Sequence, residues 1–156
     1  QQRPGKSGSM DGDADLEDCI RFCAYLFGAS AAEDTPFCFF CNGIDALTHQ
    51  PVRTAESWGI SFALEQSRTL ARLSVGDAKK IDLFLQEDAA FLSASQLILV
   101  NTYLDDGLKA FARDRARRGT AVSIFVCGRT VSSDFEDYSY SLFTLRGSEK
   151  KEGKTS

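Results

Sequence analysis

Apolar residues recur along this chain in two rhythms, one with a period of two and one with a period near three and a half. Residues 57–66 (SWGISFALEQ) alternate cleanly. Trp58, Ile60, Phe62 and Leu64 fall on one side and Gly59, Ser61, Ala63 and Glu65 on the other, the mark of a half-buried strand. Residues 120–127 alternate in the same way, with Val122, Ile124 and Val126 set against Ala121, Ser123 and Phe125. Further strands are predicted at 36–44, 96–102 and 138–146, where apolar and β-branched residues cluster between turn residues. Helical spacing appears twice. Over 15–28, Leu16, Ile20, Cys23 and Phe27 share a face, Asp15 or Asp18 supplies the cap and Gly28 the stop. After Asp105-Asp106, an inner stripe of Leu108, Phe111, Ala112 and the stem of Arg115 is closed by Arg117, Arg118 and Gly119. Its terminal cations complement the negative end of the helix dipole.

Residues 67–95 keep no single rhythm. Segments 69–75 and 81–85 read either as short strands around Gly76-Asp77 or as parts of a long excursion. Without that excursion and the first helix, the order is strand, strand, strand, helix, strand, strand. This order predicts a mostly-β fold: a five-stranded OB-fold barrel with a helix between strands three and four, plus an added N-terminal helix. Trp58, Ile60, Phe62, Val122, Ile124, Val126 and Leu142 would line its interior, each burial contributing about 1.5–3 kcal/mol, with Trp58 alternatively the anchor of an interface. The domain would occupy residues 14–147, between a disordered polar arm at 1–13 and a charged, flexible tail at 148–156.

Composition narrows the function. With 156 residues, 43% hydrophobic and 26% charged, the chain fits one soluble globular domain with tails. No apolar run approaches the roughly 18–20 residues of a membrane span, and no signal-peptide pattern is visible. The net charge of −4 counts against a strong electrostatic footprint on nucleic acid, and favours local contacts or protein partners. Five cysteines, an odd number, predict free thiols in a reducing compartment. Cys19, Cys23, Cys38 and Cys41 have a superficial zinc spacing. However, Cys38 and Cys41 lie three apart on a predicted strand and point to opposite sides, so no metal is expected. The single His49 has no companion at motif spacing, Asp105-Asp106 reads as a helix cap, and no Gly-rich phosphate loop is present. These features predict a non-enzymatic protein without a cofactor.

Several segments carry a family likeness. Phe39-Phe40-Cys41-Asn42-Gly43-Ile44, residues 58–64, residues 97–100, and Arg118-Gly119 followed by Val122, Val126, Gly128 and Arg129 occur in that order. Over residues 37–146 the chain resembles single-strand-binding proteins of the OB-fold type. Within that group it is most similar to the OB domains of the interaction proteins in the kinetoplastid mitochondrial RNA-editing complex. The resemblance implies a mitochondrial editing-complex subunit that docks sister OB-fold subunits and editing enzymes and contacts single-stranded RNA weakly. Two alternatives stand beside it: a single-stranded DNA-binding protein of the bacterial or mitochondrial type, and a pure protein-interaction barrel. Nucleic acid on such a barrel lies across strands two and three and the adjoining loops. The implied contacts are Arg53, Arg68, Arg72, Lys79, Lys80, Arg129, Tyr138, Tyr140 and Arg146. The acidic balance and the apolar first helix favour docking over nucleic-acid contact.

Overall fold

The computed structural model describes residues 3–74, 80–86, 93–127 and 139–145, with side chains from Ala14 onward. The chain divides into two compact units. One comprises Gln1–Arg21 with Ala94–Ser156, and the other Phe22–Ser93. Among the described residues the strands form two three-stranded sheets, and neither closes on itself. The five-stranded OB-fold barrel expected from the element order is therefore not the fold.

The first unit is built on a parallel sheet. β4 (Gln96–Asn101), α4 (Asp106–Arg117) and β5 (Ala121–Cys127) form one strand–helix–strand crossover, and β6 (Ser141–Leu145) adds a third strand. β4 and β5 run parallel in unbroken register from Gln96 opposite Ala121 to Asn101 opposite Val126. β5 and β6 are also parallel, from Ser123 opposite Ser141 to Cys127 opposite Leu145. Parallel neighbours need a connection long enough to carry the chain back to its starting end, and α4 provides it. The helix begins where the sequence placed it, with the Asp105 carboxylate accepting a hydrogen bond from the Leu108 N–H at 2.9 Å. It ends before Gly119, whose φ of 98° suits a residue without a side chain. Leu108, Phe111, Ala112 and Arg115 are buried, as the stripe predicted. The expected interior residues Val122, Ile124 and Val126 are buried as well, and Leu142 is partly so.

The strands themselves were legible; their pairing was not. QLILVN and AVSIFVC are near-continuous apolar runs, the pattern of parallel strands shielded on two sides. Leu97, Leu99, Val122, Ile124 and Val126 form the buried face. On the reverse face the register aligns Val100, Phe125 and Phe143, and the last two rings stack at 4.7 Å.

The second unit is a small antiparallel sheet with helices. β1 (Phe40–Asp45) pairs with β2 (Pro51–Arg53) in a hairpin with an irregularity between Cys41 and Ile44, and with β3 (Leu73–Ser74) on its other side. Phe27 packs against Phe37 at 5.1 Å and Phe39 at 5.0 Å, and Phe37 meets Phe62 at 4.8 Å. α3 (Ile81–Leu85) contributes the buried Phe84 and Leu85. The first helix, α1, spans Arg3–Ala32, well beyond the predicted 15–28. Gly28 does not stop it because Ala29, Ala31 and Ala32 follow, and their helix propensity outweighs the roughly 1 kcal/mol cost of one interior glycine.

Residues 57–66 depart most from expectation. They are not a barrel strand. Residues from Ile60 onward form α2 (Ile60–Ala71), while Trp58 lies outside any strand. The alternation stops at Leu64, whereas Ala63, Gln66 and Leu70 recur at helical spacing among strong helix formers (Ala, Leu, Glu, Gln, Arg), so local propensity wins. Trp58 and Ile60, expected in the core, are 62% and 63% exposed, and Phe62 is half-buried. Among the described residues no helix is long and apolar enough to cross a membrane.

Candidate protein-docking surface

The residues implied as RNA contacts are divided between the two units. Arg53, Arg68, Arg72, Lys79 and Lys80 belong to Phe22–Ser93, whereas Arg129, Tyr138, Tyr140 and Arg146 belong to the other unit. Lys79, Arg129, Tyr138 and Arg146 lie outside the described residues. Arg72 is committed internally. Its guanidinium donates to both Asp45 carboxylate oxygens at 2.8 and 3.0 Å, and to the Thr69 hydroxyl at 3.3 Å. The Arg72 contact and the Leu47 N–H together hold the Asp45 carboxyl well below the usual range, at about 2. The same pairing raises the pKa of Arg72. Arg53 lies 4.2 Å above the Phe84 ring, a cation–π contact that occupies its flat face. Tyr140 is buried, so its ring is not an exposed platform for a base. Arg68 and Lys80 are exposed.

Three arginines at the end of α4 are likewise paired within their own helix region. Asp114 accepts from Arg118 at 3.1 Å, and from Arg115 and Arg117 at 3.5 Å. Partial burial opposes its charged form, but the Arg118 and Arg115 guanidiniums overcome this and leave its pKa below the ordinary value.

In parallel α/β sheets, ligands commonly bind beyond the carboxyl ends of the strands. Here that end of β4 is already engaged. The Asn101 amide donates to the Tyr103 carbonyl at 3.1 Å, and Asp105 caps α4. Two carboxylates, Asp105 and Asp106, stand where an anionic ligand would meet the helix N-terminus, so a phosphate would be repelled. Among the described residues no three His, Cys, Asp or Glu side chains gather as a metal site would require.

A different surface emerges on α2. The helix turns Ala63, Gln66, Thr69 and Leu70 inward, and leaves Ile60 and Leu64 63% and 49% exposed. Ile60, Leu64 and Arg68 are four residues apart and share one stripe. Exposed Trp58 precedes it across Gly59, whose φ of 96° is costly for any other residue. Exposed Glu56 and Glu65 flank the apolar residues. Thr69 reconciles its buried position by donating its hydroxyl to the Glu65 carbonyl at 3.2 Å. The amide of Gln66 and the hydroxyl of Thr69 thus face in beside Ala63 and Leu70, while two aliphatic side chains, Ile60 and Leu64, face water. Sequence reasoning assigned Ile60 to a core, and Trp58 to a core or an interface, because it read a period of two. The signal that finds them is the run of helix formers following Gly59.

Charge separates the two units. Phe22–Ser93 carries five Lys and Arg against nine Asp and Glu, a net of −4, while the other unit carries 13 of each and is neutral. The apolar stripe therefore belongs to the acidic unit. Comparison with protein families, curated proteins and solved structures finds no match to this chain.

Proposed function

We propose that this chain is a non-enzymatic docking module that binds a protein through Trp58, Ile60 and Leu64. The exposure of Trp58, Ile60 and Leu64 along one stripe carries the reading. A surface with an indole and two aliphatic side chains in water gains free energy when a partner covers it, and an exposed Trp of this kind is a typical interface anchor. The occupant is a protein surface that is apolar at its centre and basic at its rim. Glu56 and Glu65 beside the stripe and the net −4 of the unit favour such a rim, with Arg68 offering one position to a carboxylate. The same acidity works against single-stranded RNA, whose phosphates would meet a negatively charged unit whose Arg72 is already paired.

Trp58 is the chain's only Trp, so its fluorescence reports occupancy directly. The test titrates the whole chain with a synthetic amphipathic helix bearing a leucine stripe flanked by lysines, then with the same peptide flanked by glutamates, then with a uridine-rich oligonucleotide. A saturable blue shift with the lysine peptide alone, lost in Leu64→Ser, is the expected result. Equal response to the two peptides, no response to either, or a shift with the oligonucleotide that falls steeply with salt, overturns the proposal.

A further inference from the structure

We infer, building on the docking role proposed for Trp58, Ile60 and Leu64, that Phe37 is a positioning residue for that surface. Its ring fixes the Trp58 segment to α2, so the stripe is assembled before a partner arrives.

Trp58 is 62% exposed, yet the chain holds it on both sides. Before it, Phe37 and Ser57 form an antiparallel bridge. The Phe37 N–H donates to the Ser57 carbonyl at 2.9 Å, and the Ser57 N–H donates to the Phe37 carbonyl at 3.1 Å. After it, the Gly59 carbonyl accepts from the Ala63 N–H at 3.1 Å and so opens α2. Gly59 turns the corner with φ 96° and ψ 168°, a conformation open to little else than glycine. The indole is therefore carried by one residue between a bridge and the first turn of a helix.

One bridge pair can still pivot, and the Phe37 ring supplies the second constraint. It lies 4.8 Å from the Phe62 ring of α2 and 5.1 Å from the Phe27 ring of α1, stacked on the latter within 8°. Phe27 meets Phe39 edge-on at 5.0 Å, and both of these rings are buried. All of these residues belong to Phe22–Ser93. Phe37 thus ties the backbone that holds Ser57 to the helix that carries Ile60 and Leu64, and anchors both to a buried aromatic cluster. Ring pairs at such separations have preferred geometries, which suits them to fixing one segment against another. The consequence is for affinity: an anchor that is loose in the free protein must be ordered on binding, and that ordering weakens the complex. Here the ordering is completed when the unit folds.

Because the chain has one Trp, fluorescence anisotropy of the free protein reads the mobility of this indole. Phe37→Ala keeps the backbone groups of the bridge and removes the ring, while Phe37→Tyr keeps the ring. The wild type and both variants are compared below the onset of unfolding seen by far-UV circular dichroism. In Phe37→Ala the expected result is a lower Trp58 anisotropy, with affinity for the lysine-flanked helix reduced by up to about tenfold, the cost of ordering one loose side chain. Phe37→Tyr restores both. A Phe37→Ala protein that melts earlier but keeps wild-type anisotropy and affinity has lost packing alone, and overturns the inference. If the wild type does not bind the helix, the docking role falls by itself, and anisotropy across the three proteins still decides whether Phe37 positions Trp58. Phe37→Leu, apolar but without the ring, serves in the same comparison if Phe37→Ala does not fold.

Discussion

The two units of this chain solve the same problem with different completeness. In the unit formed by Gln1–Arg21 and Ala94–Ser156, a continuous parallel register places Leu97, Leu99, Val122, Ile124 and Val126 on one buried face, and the capped helix α4 carries a matching buried stripe. In Phe22–Ser93, a three-residue and a two-residue strand flank β1, an ion pair joins Asp45 to Arg72, and Ile60 and Leu64 of α2 are left in water. The first unit buries one face of its sheet and leaves Ile98 and Phe143 40% and 46% exposed on the strands, while the second keeps Trp58, Ile60 and Leu64 in water and carries the whole net charge. Burial of apolar side chains marks where the fold is decided; their exposure on an acidic unit marks where another molecule is expected.

The largest expected effect lies in the sheet. Ile124→Ala removes a fully buried side chain from the middle strand and should cost about 2–5 kcal/mol, read as a lowered denaturation midpoint by far-UV circular dichroism. If this truncation moves the Trp58 fluorescence transition equally, the two units unfold together, and the difference between them is structural but not energetic.

A pH titration probes the second unit. The Asp45 carboxyl is held at about 2, below its unfolded value. Its contribution to stability is therefore complete above pH ~4 and is lost as pH falls toward 2. Asp45→Asn should lower Tm at neutral pH and flatten the acid limb of the stability curve. An unchanged acid limb would show that this pair does not hold β1 to the end of α2.

Next in size is the cap of α4. Asp105→Ala should cost about 1 kcal/mol, measured by urea denaturation, because the Leu108 N–H loses its acceptor. The smallest effect is expected on the α2 stripe. Ile60→Ser and Leu64→Ser should change stability by no more than about 0.5 kcal/mol while abolishing the response to the lysine-flanked helix. A loss as large as that of Ile124→Ala would place these side chains in a core and remove the docking surface.

Local elements were more readable than their assembly. The Asp105 cap, the Leu108–Phe111–Ala112–Arg115 stripe and the Val122–Ile124–Val126 face all follow from spacing and appear in the structure. Strand pairing did not follow, because alternation fixes which side chains share a face and says nothing of which strand lies alongside or in which direction. The order of elements fits a barrel and an open parallel sheet equally well; only the near-continuous apolar character of β4 and β5 distinguishes them. Residues 57–66 misled for another reason. Four apolar residues at even positions satisfied a strand pattern over a window too short to show that helical spacing took over at Ala63. The implied RNA contacts were carried by the barrel likeness rather than by any charge cluster, and Arg72 and Arg53 proved to be engaged inside their own unit. Trp58, the residue of most interest, stood in plain view in the sequence but on the wrong side of an imagined wall.

Gly43 sets a narrow clearance in the second unit. A methyl group there would come within 3.2 Å of the Ser74 carbonyl and 3.4 Å of the Cys41 sulfur. Among the described residues β3 pairs with β1 at Ile44–Ser74 and Asp45–Leu73, and it acts as a small latch that closes over a hydrogen atom. Evolutionary drift at this position would first loosen the latch, well before it touched the aromatic packing around Phe27.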